Sequence, residues 1–395
     1  MSHHACIRTL AVGVFLVAVG ARISSEQVSK PAATTPDGLL RSELSLVGRT
    51  ASVSVTPALR ASDPAHQSLF AAAGADGGRV RIGQLRTTGT LQFGTISVGK
   101  IDPAGVRYDL WLQSTRDGWQ LEIVEPSAQT GTETASAPAK ISLARHPSPV
   151  AFPTLIAALL PASRDTGRLV LKWGEFTADT ELQFTEPTNR RPTGTGRPNE
   201  PISRTHDEDN RTARLTMLAQ LNETAMVLPN GSRFSISFAR SFPKGTRRVS
   251  AAGTLGRGGL GVDGPDFARL MSTADGAVVQ LTEAPVPRLA IEAPLRIGNV
   301  LLRAGNQATA YPGAYGLWLK RAGRGWRLVF SNEPDTWGTQ HDPRFDAAEI
   351  DVSHSEGGEP SRPFAIALEP TAADRGRLLI QWGPHEWIAD FVAAD

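Results

Sequence analysis

The stretch YGLWL at residues 315–319 repeats an earlier one, because YDLWL occupies residues 108–112, 207 residues before it. In both stretches a Gly-Trp pair follows at the same distance, at residues 118–119 and 325–326. Apolar side chains alternate with others in each stretch, which is the period of a β-strand with one buried face. The two stretches therefore predict two copies of one strand-rich unit.

The duplication extends beyond these strands. DTGRLVLKWG at residues 165–174 matches DRGRLLIQWG at residues 374–383, 209 residues later. Upstream, Arg81 aligns with Arg269, which requires a longer insertion in the second copy, near residues 284–294. Six of the eight tryptophans fall into matched pairs, 111 with 318, 119 with 326 and 173 with 382. We expect these paired tryptophans to form a core that both copies share.

Glycine and proline clusters break the alternating segments at short intervals, which is typical of antiparallel sheets with tight loops. Such strands need two sheets to cover their apolar faces, so we predict an all-β protein of two tandem, jelly-roll-like β-sandwich domains. The predicted domains are residues 45–186 and 211–395, which we expect to fold separately around a polar linker at residues 187–210. Two short segments, 153–160 and 215–225, also fit helices.

Residues 1–21 have the layout of a signal peptide, with an uncharged apolar run, LAVGVFLVAVG, at residues 10–20. The run is shorter than the roughly 20 residues that span a bilayer. We therefore predict cleavage near Ala21 and a periplasmic or secreted protein without a membrane span after cleavage. The single cysteine, Cys6, would leave with the leader, which excludes disulfides and cysteine zinc sites from the mature chain.

The charge of the chain bears on its partners. Lysine and arginine number 41 and aspartate and glutamate 39, a formal net charge of +2. This balance lacks the basic footprint that nucleic-acid binding requires, so no nucleic-acid partner is expected. The content of 40% hydrophobic and 20% charged residues also excludes the disordered and multi-span membrane classes.

Several segments match one family pattern. In the second copy they are SISFARSFPKG at residues 235–245, PGAYGL at residues 312–317, and the stretch from Trp326 through Asn332 to Trp337. The first copy keeps RIG at residues 81–83 and YDL at residues 108–110. With these segments the chain resembles tandem copies of the bacterial domain-of-unknown-function family 2911, whose members are mostly exported.

Both copies depart from this family at one motif. Where the family has Gly-Ala-Asn-Glu-Ala-Thr, the first copy reads GQLRTT at residues 83–88 and the second reads MSTADG at residues 271–276. Neither copy should therefore do what the Asn-Glu pair does in the family. The resemblance implies no activity for this chain.

No catalytic motif has the spacing that its chemistry requires. GTISVG at residues 94–99 is not a serine-hydrolase elbow, and the glycine-rich residues 253–264 lack the Lys-Ser/Thr ending of a phosphate loop. Glu349 and Asp351 share one strand face and could supply the two carboxyl groups of a glycoside hydrolase. A hydrolase of envelope or extracellular polysaccharide, acting through this pair, is the alternative function.

Metal ligands are also present in the second copy, since imidazole and carboxylate suit zinc and similar ions. None of them forms a pair with the spacing of a metal-binding motif, so we assign no catalytic residue, metal or cofactor. These residues are His341, His354, His385, Asp342, Asp346, Asp351 and Glu386.

The favoured hypothesis is a non-catalytic binding or interaction module for an unidentified ligand, such as a glycan or another envelope component. A purely structural envelope protein is a third hypothesis. Trp337 and Trp387 have no partner in the duplication, so we expect them to be exposed for recognition. The second copy lies closer to the family pattern and should carry the binding surface. Its candidate binding residues are Arg240, Lys244, Arg269, Asn332, Trp337, His341 and Trp387.

Overall fold

A computed structural model of the protein describes most of the predicted domains. The described residues are 38–46, 48–70, 78–116, 118–126, 137–163, 165–185, 221–238, 248–250, 253–255, 261–282, 286–305, 312–334, 341–357 and 360–394. The predicted leader and linker lie outside these ranges, as do the candidate binding residues Arg240, Lys244 and Trp337. Among the residues described, no helix is long and apolar enough to cross a membrane.

The first copy is built from strands and one 3-10 helix, Pro64–Leu69. Its strands are β1 (Leu40–Leu46), β2 (Arg49–Val55), β3 (Arg79–Thr87), β4 (Leu91–Phe93), β5 (Ile96–Val98), β6 (Val106–Thr115), β7 (Gly118–Val124), β8 (Ala139–Leu143), β9 (Arg145–Pro161) and β10 (Thr166–Phe184). The first strand therefore begins at Leu40, a few residues before the predicted start of the domain at residue 45.

The described part of the second copy contains one α-helix, α1 (Pro265–Met271), and a 3-10 helix, Pro343–Phe345. Its strands are β11 (Asn222–Val227), β12 (Arg233–Phe238), β13 (Arg248–Ser250), β14 (Gly253–Leu255), β15 (Val278–Gln280), β16 (Arg288–Ile291), β17 (Leu295–Ile297), β18 (Val300–Leu302), β19 (Ala314–Ala322), β20 (Gly325–Ser331), β21 (Asp346–Glu356), β22 (Ala365–Pro370), β23 (Arg375–Trp382) and β24 (His385–Ala393).

Both copies follow the same antiparallel topology, and the predicted all-β, sandwich-like fold is confirmed. In the first copy β1, β2, β3, β6, β7 and β8 pair in that order, and β5, β4, β10 and β9 form a second sheet. In the second copy β11, β12, β16, β19, β20 and β21 pair in the first order, and β18, β17, β24, β23 and β22 in the second. The alternation of side chains along each strand explains how a sheet buries one face. Strand β1, for example, buries every second side chain.

Strand β10 corresponds to the hairpin of β23 and β24. The chain of β10 turns at Gly174, which has a positive φ of 60°. The equivalent residue between β23 and β24 is Gly383, whose φ is 56°. The ends of β10 meet, because the Phe184 N–H donates to the Asp165 carbonyl over 2.7 Å. Left-handed backbone of this kind favours glycine, so both copies keep one at the turn.

The two copies join edge to edge through β1 and β11, which pair antiparallel. The register is symmetric about Glu43 and Ala225, because Ser42 faces Met226 and Leu44 faces Thr224. Equivalent side chains stand in equivalent places. Ser42 Oγ accepts from the Leu159 N–H and Thr224 Oγ1 from the Leu368 N–H, over 3.0 and 3.4 Å. The copies are thus related by an approximate two-fold axis through this strand pair.

A second contact between the copies involves β9 and β22. Ala158, Leu160 and Val170 of the first copy form a buried cluster with Ala367 of the second. Beside it, Lys172 Nζ lies 2.6 Å from Glu369 Oε1, and both side chains are nearly buried. Residues Pro36–Asp395 consequently form one compact unit. Each copy therefore covers apolar surface of the other, whereas separate folding of the copies stays a prediction.

The segment 153–160, which also fitted a helix, lies within strand β9. Leu155, Ala157 and Leu159 enter the main core, whereas Ala158 and Leu160 enter the cluster between the copies. A strand that is buried on both faces is apolar without alternation and cannot be distinguished from a buried helix by its pattern.

The alignment of Arg81 with Arg269 is wrong, because Arg81 lies in strand β3 and Arg269 in helix α1. The counterpart of β3 is the pair β15 and β16. Leu85 of β3 faces Tyr108, and Leu289 of β16 faces the repeated Tyr315. β3 has only a bulge where extra residues separate β15 from β16 in the second copy. The insertion therefore begins just after β15, slightly earlier than expected.

Candidate functional site

A groove of about 610 Å³ lies on the outer face of the second copy. Strands β15 and β19 form its floor, helix α1 one wall, and the segment that enters β21 the other. The lining residues are Arg269, Gly276, Val278, Val279, Gln280, Trp318, Lys320, His341, Pro343 and Asp346. Two of the predicted binding residues, Arg269 and His341, are thereby brought to one place.

Trp318 packs on the groove side of β19. Tyr315, Leu317 and Leu319 belong to the main core, so the alternation of the strand turns Trp318 to the opposite face, where it contacts Val286. Its side chain is 3% exposed, and within the described ranges its indole N–H has no hydrogen-bond partner. Burial of a polar group without a partner is costly, and this N–H has almost no surface open to the groove.

The expectation that all paired tryptophans enter one shared core is therefore only partly right. Trp119, Trp173, Trp326 and Trp382 are in the main core, but Trp111 and Trp318 lie outside it on the opposite sheet face. A shared core explains why the pairs Trp119/Trp326 and Trp173/Trp382 recur in both copies. It does not explain the recurrence of Trp111 and Trp318.

Charged groups surround the groove. The Arg269 guanidinium donates to the Gln280 carbonyl over 3.2 Å and pairs with Asp266. Lys320 Nζ lies 2.8 Å from Glu349. These two cations remain partly exposed, each is paired with a carboxylate, and Asp346 adds a further carboxylate to the lining.

His341 completes the wall opposite Arg269. Its Nε2 lies 2.7 Å from Asp346 Oδ1, and its ring centre is 5.4 Å from that of Trp318. The hydrogen bond holds the imidazole against the indole. Asn332 supports the same wall from behind, because its N–H donates to the Phe345 carbonyl over 2.8 Å and so holds the 3-10 turn that contains Pro343.

Trp387 does not serve as an exposed recognition residue, and that expectation is wrong. It is 1% exposed and packs against Trp326, with ring centres 5.8 Å apart. The alternation along β24 explains this, since Trp387, Ala389 and Phe391 point inward. Trp387 thus extends the core of the second copy, where the first copy has Ala178 at the equivalent position.

Glu349 and Asp351, the carboxyl pair of the hydrolase hypothesis, both pair with Arg327, and Glu349 also pairs with Lys320. Arg327 lies 2.8 Å from Glu349 and 2.7 Å from Asp351. Burial alone would raise the pKa of Glu349, but hydrogen bonds and charges from Lys320 and Arg327 outweigh it, and the net pKa is below the ordinary value. A general acid needs a raised pKa, so this environment suits a structural ion pair better than acid catalysis.

The first copy covers its outer tryptophan differently. The Arg79 guanidinium carbon lies 4.1 Å from the centre of the Trp111 ring, and Arg79 also pairs with Glu122 over 2.7 Å. Lys140 lies 3.2 Å from the same carboxylate. Where the second copy has a groove against Trp318, the first copy therefore places a cation over the indole.

A second cluster lies at the junction of β21 and β24. His354, Glu356 and His385 each offer one ligand atom, and these atoms lie within 4.8 Å of one another. Burial and the neighbouring His385 lower the pKa of His354 below its ordinary value. Sequence reasoning noted both histidines but overlooked Glu356. The signal that could have found it is the spacing of two residues from His354, which puts both on one strand face.

Comparison with known proteins bears on the second copy alone. No curated protein and no solved structure matches the chain. The family model described as protein of unknown function (DUF2911) matches residues 303–390, which contain Trp318, Lys320, His341 and the whole His354 cluster. This match supports the family resemblance for that one segment of the second copy.

Proposed function

We propose that the protein is a non-catalytic binding module whose second copy holds a small ligand in the groove over Trp318. One observation carries the proposal: the groove combines a ligand-sized volume of about 610 Å³ with apolar surface from Trp318 and the partly exposed cations Arg269 and Lys320. Small-molecule sites typically measure about 300–1,000 Å³ and combine apolar walls with a few polar groups.

The lining favours a ligand that has an apolar face and an acidic group. Val278, Val279 and Trp318 supply apolar surface, and Arg269 and Lys320 supply positive charge. An acidic sugar has both features, because its ring carbons form an apolar face beside a carboxylate. We therefore propose an acidic glycan as the ligand class.

We also propose that the protein acts outside the cytoplasm. The apolar run at residues 10–20 and the small residues after it are the support for export. An acidic glycan of the cell envelope or its surroundings would then be within reach of the groove.

The test is calorimetric titration of the protein with trigalacturonate, using the neutral methyl ester of the same trisaccharide as the ligand control. Arg269→Gln should weaken trigalacturonate binding by about 10- to 150-fold, since a hydrogen bond to a charged group contributes about 1.5–3 kcal/mol. The control variant is Arg375→Gln, which removes an exposed arginine paired with Asp374 outside the groove and should leave the affinity unchanged. Thermal melting of both variants checks that they fold.

Three results would contradict the proposal. Equal binding of the acid and its methyl ester would exclude a charged ligand. Unchanged affinity in a folded Arg269→Gln variant would exclude this groove. Release of shorter saccharides, lost in Glu349→Gln, would replace the binding function by the hydrolase alternative.

A further inference from the structure

The cluster of His354, Glu356 and His385 follows from the register of two strands. His354 and Glu356 are two residues apart on β21 and so share one face of the sheet. Glu356 lies directly opposite His385 of β24, and His354 lies opposite Trp387. The Gly357 N–H donates to the Pro384 carbonyl over 3.0 Å, which ties the end of β21 to the start of β24. Backbone pairing thereby holds three potential metal ligands together where β21 ends and β24 begins.

The distances within the cluster suit one metal ion. His354 Nε2 lies 3.2 Å from His385 Nδ1, and His385 Nδ1 lies 3.5 Å from Glu356 Oε1. In tetrahedral zinc sites with bonds of about 2.0–2.1 Å, neighbouring ligand atoms are about 3.3 Å apart. An ion could therefore be bound with small side-chain rotations and no movement of the strands.

The burial of the three residues differs in a way that fits an open metal site. His385 is 6% exposed, His354 is half-buried, and the Glu356 side chain is 65% exposed. On the inner side His354 packs against Trp387, with ring centres 5.2 Å apart. An ion would be enclosed by protein on one side and would face water on the other, which leaves a coordination position for a ligand.

The first copy shows that the fold does not require these donors. The residues 209 positions earlier are Arg145, Pro147 and Phe176. There the Arg145 guanidinium carbon lies 5.0 Å from the centre of the Phe176 ring, so the same corner is filled by a cation over an aromatic ring. A packing role alone is met by residues that bind no metal, whereas the second copy has three metal-binding side chains in the same place.

We propose that His354, Glu356 and His385 bind a divalent transition-metal ion, and that Zn²⁺ is the ion whose preferred ligands and distances they match best. The fourth position faces solvent and accepts water or an anionic ligand. This site lies apart from the Trp318 groove and does not depend on the function proposed for it.

The test is titration of the untagged, chelator-treated full chain with Zn²⁺, followed by calorimetry, and with Co²⁺, whose visible absorption reports tetrahedral coordination. The unaltered protein should bind one ion at this site. His385→Phe introduces the residue of the first copy and should lower the affinity by at least about 100-fold, because even the indirect partners of metal ligands change affinity by 10–100-fold. His146→Gln removes an exposed histidine of the first copy and should leave this affinity unchanged.

A second variant guards against loss of folding in His385→Phe. Glu356→Gln alters an exposed side chain and should fold normally while also weakening Zn²⁺ binding and shifting the Co²⁺ spectrum. The proposal is overturned if the unaltered protein binds no Zn²⁺, which would leave a hydrogen-bonded histidine pair. It is equally overturned if folded Glu356→Gln and His385→Phe bind Zn²⁺ as tightly as the unaltered protein.

Discussion

Replacing Trp326 by alanine should lower the free energy of unfolding by roughly 3–5 kcal/mol, the range for deleting a buried aromatic side chain. Trp326 is 3% exposed and packs edge-on against Trp387 in the core of the second copy. The deletion removes apolar surface from the core and leaves a cavity that the paired strands can fill only in part. Chemical denaturation of the full chain measures the effect.

The matched control is Trp111→Ala. Trp111 is half-buried on the outer sheet face, where Arg79 covers it, so its loss should cost clearly less than that of Trp326. An equal loss for the two variants would contradict the division of the paired tryptophans into inner and outer sets.

Replacing Lys172 by methionine should also destabilise the protein, by about 3 kcal/mol, the lower end of the range for breaking a buried ion pair, because the buried carboxylate loses its nearest partner and keeps only a more distant cation. The Lys172–Glu369 ion pair spans the two copies at 2.6 Å, and the Glu369 side chain is only 7% exposed. After the change the remaining cation near Glu369 is Arg377, at 3.6 Å. Denaturation of the full chain should show the loss.

The double variant Lys172→Met with Glu369→Leu tests the cause. It removes both charges and places leucine where the approximate symmetry has Leu160, so its stability should return to within about 1 kcal/mol of the unaltered protein. If the double variant is as unstable as the single one, packing and not an unpaired charge explains the effect.

The strands could be predicted where one sheet face enters the core. Tyr315, Leu317 and Leu319 alternate with other residues, and the structure buries these three in the main core. The same alternation already places Trp318 on the opposite face, so the outward direction of this tryptophan could have been predicted. The expectation that Trp318 lies in the core relied on its recurrence in both copies and disregarded the two-residue period of the strand.

Other features depend on contacts that a sequence pattern does not carry. Strand β9 appears helix-like because the second copy covers its outer face, and nothing local to residues 153–160 indicates that partner. Arg269 and His341 are far apart in the sequence and meet only because α1 and the segment before β21 flank the same strand. Their proximity could not have been derived from spacing, and their role in binding stays a prediction.

The His354 cluster is an intermediate case. Two of its members were recognised as potential ligands, yet no motif spacing joins His354 to His385. Their contact requires the pairing of β21 with β24, which sets Glu356 opposite His385. Once that register is known, the three donors follow from alternation alone.

We propose that the second copy carries the recognition surface and that the first copy does not. Hydrogen exchange measured by mass spectrometry, with and without trigalacturonate, tests this directly. We expect slower exchange at residues 269–280 and 341–346, which line the groove, and unchanged exchange in β3 and β6 of the first copy. Protection confined to β3 and β6, or equal protection in both copies, would contradict it.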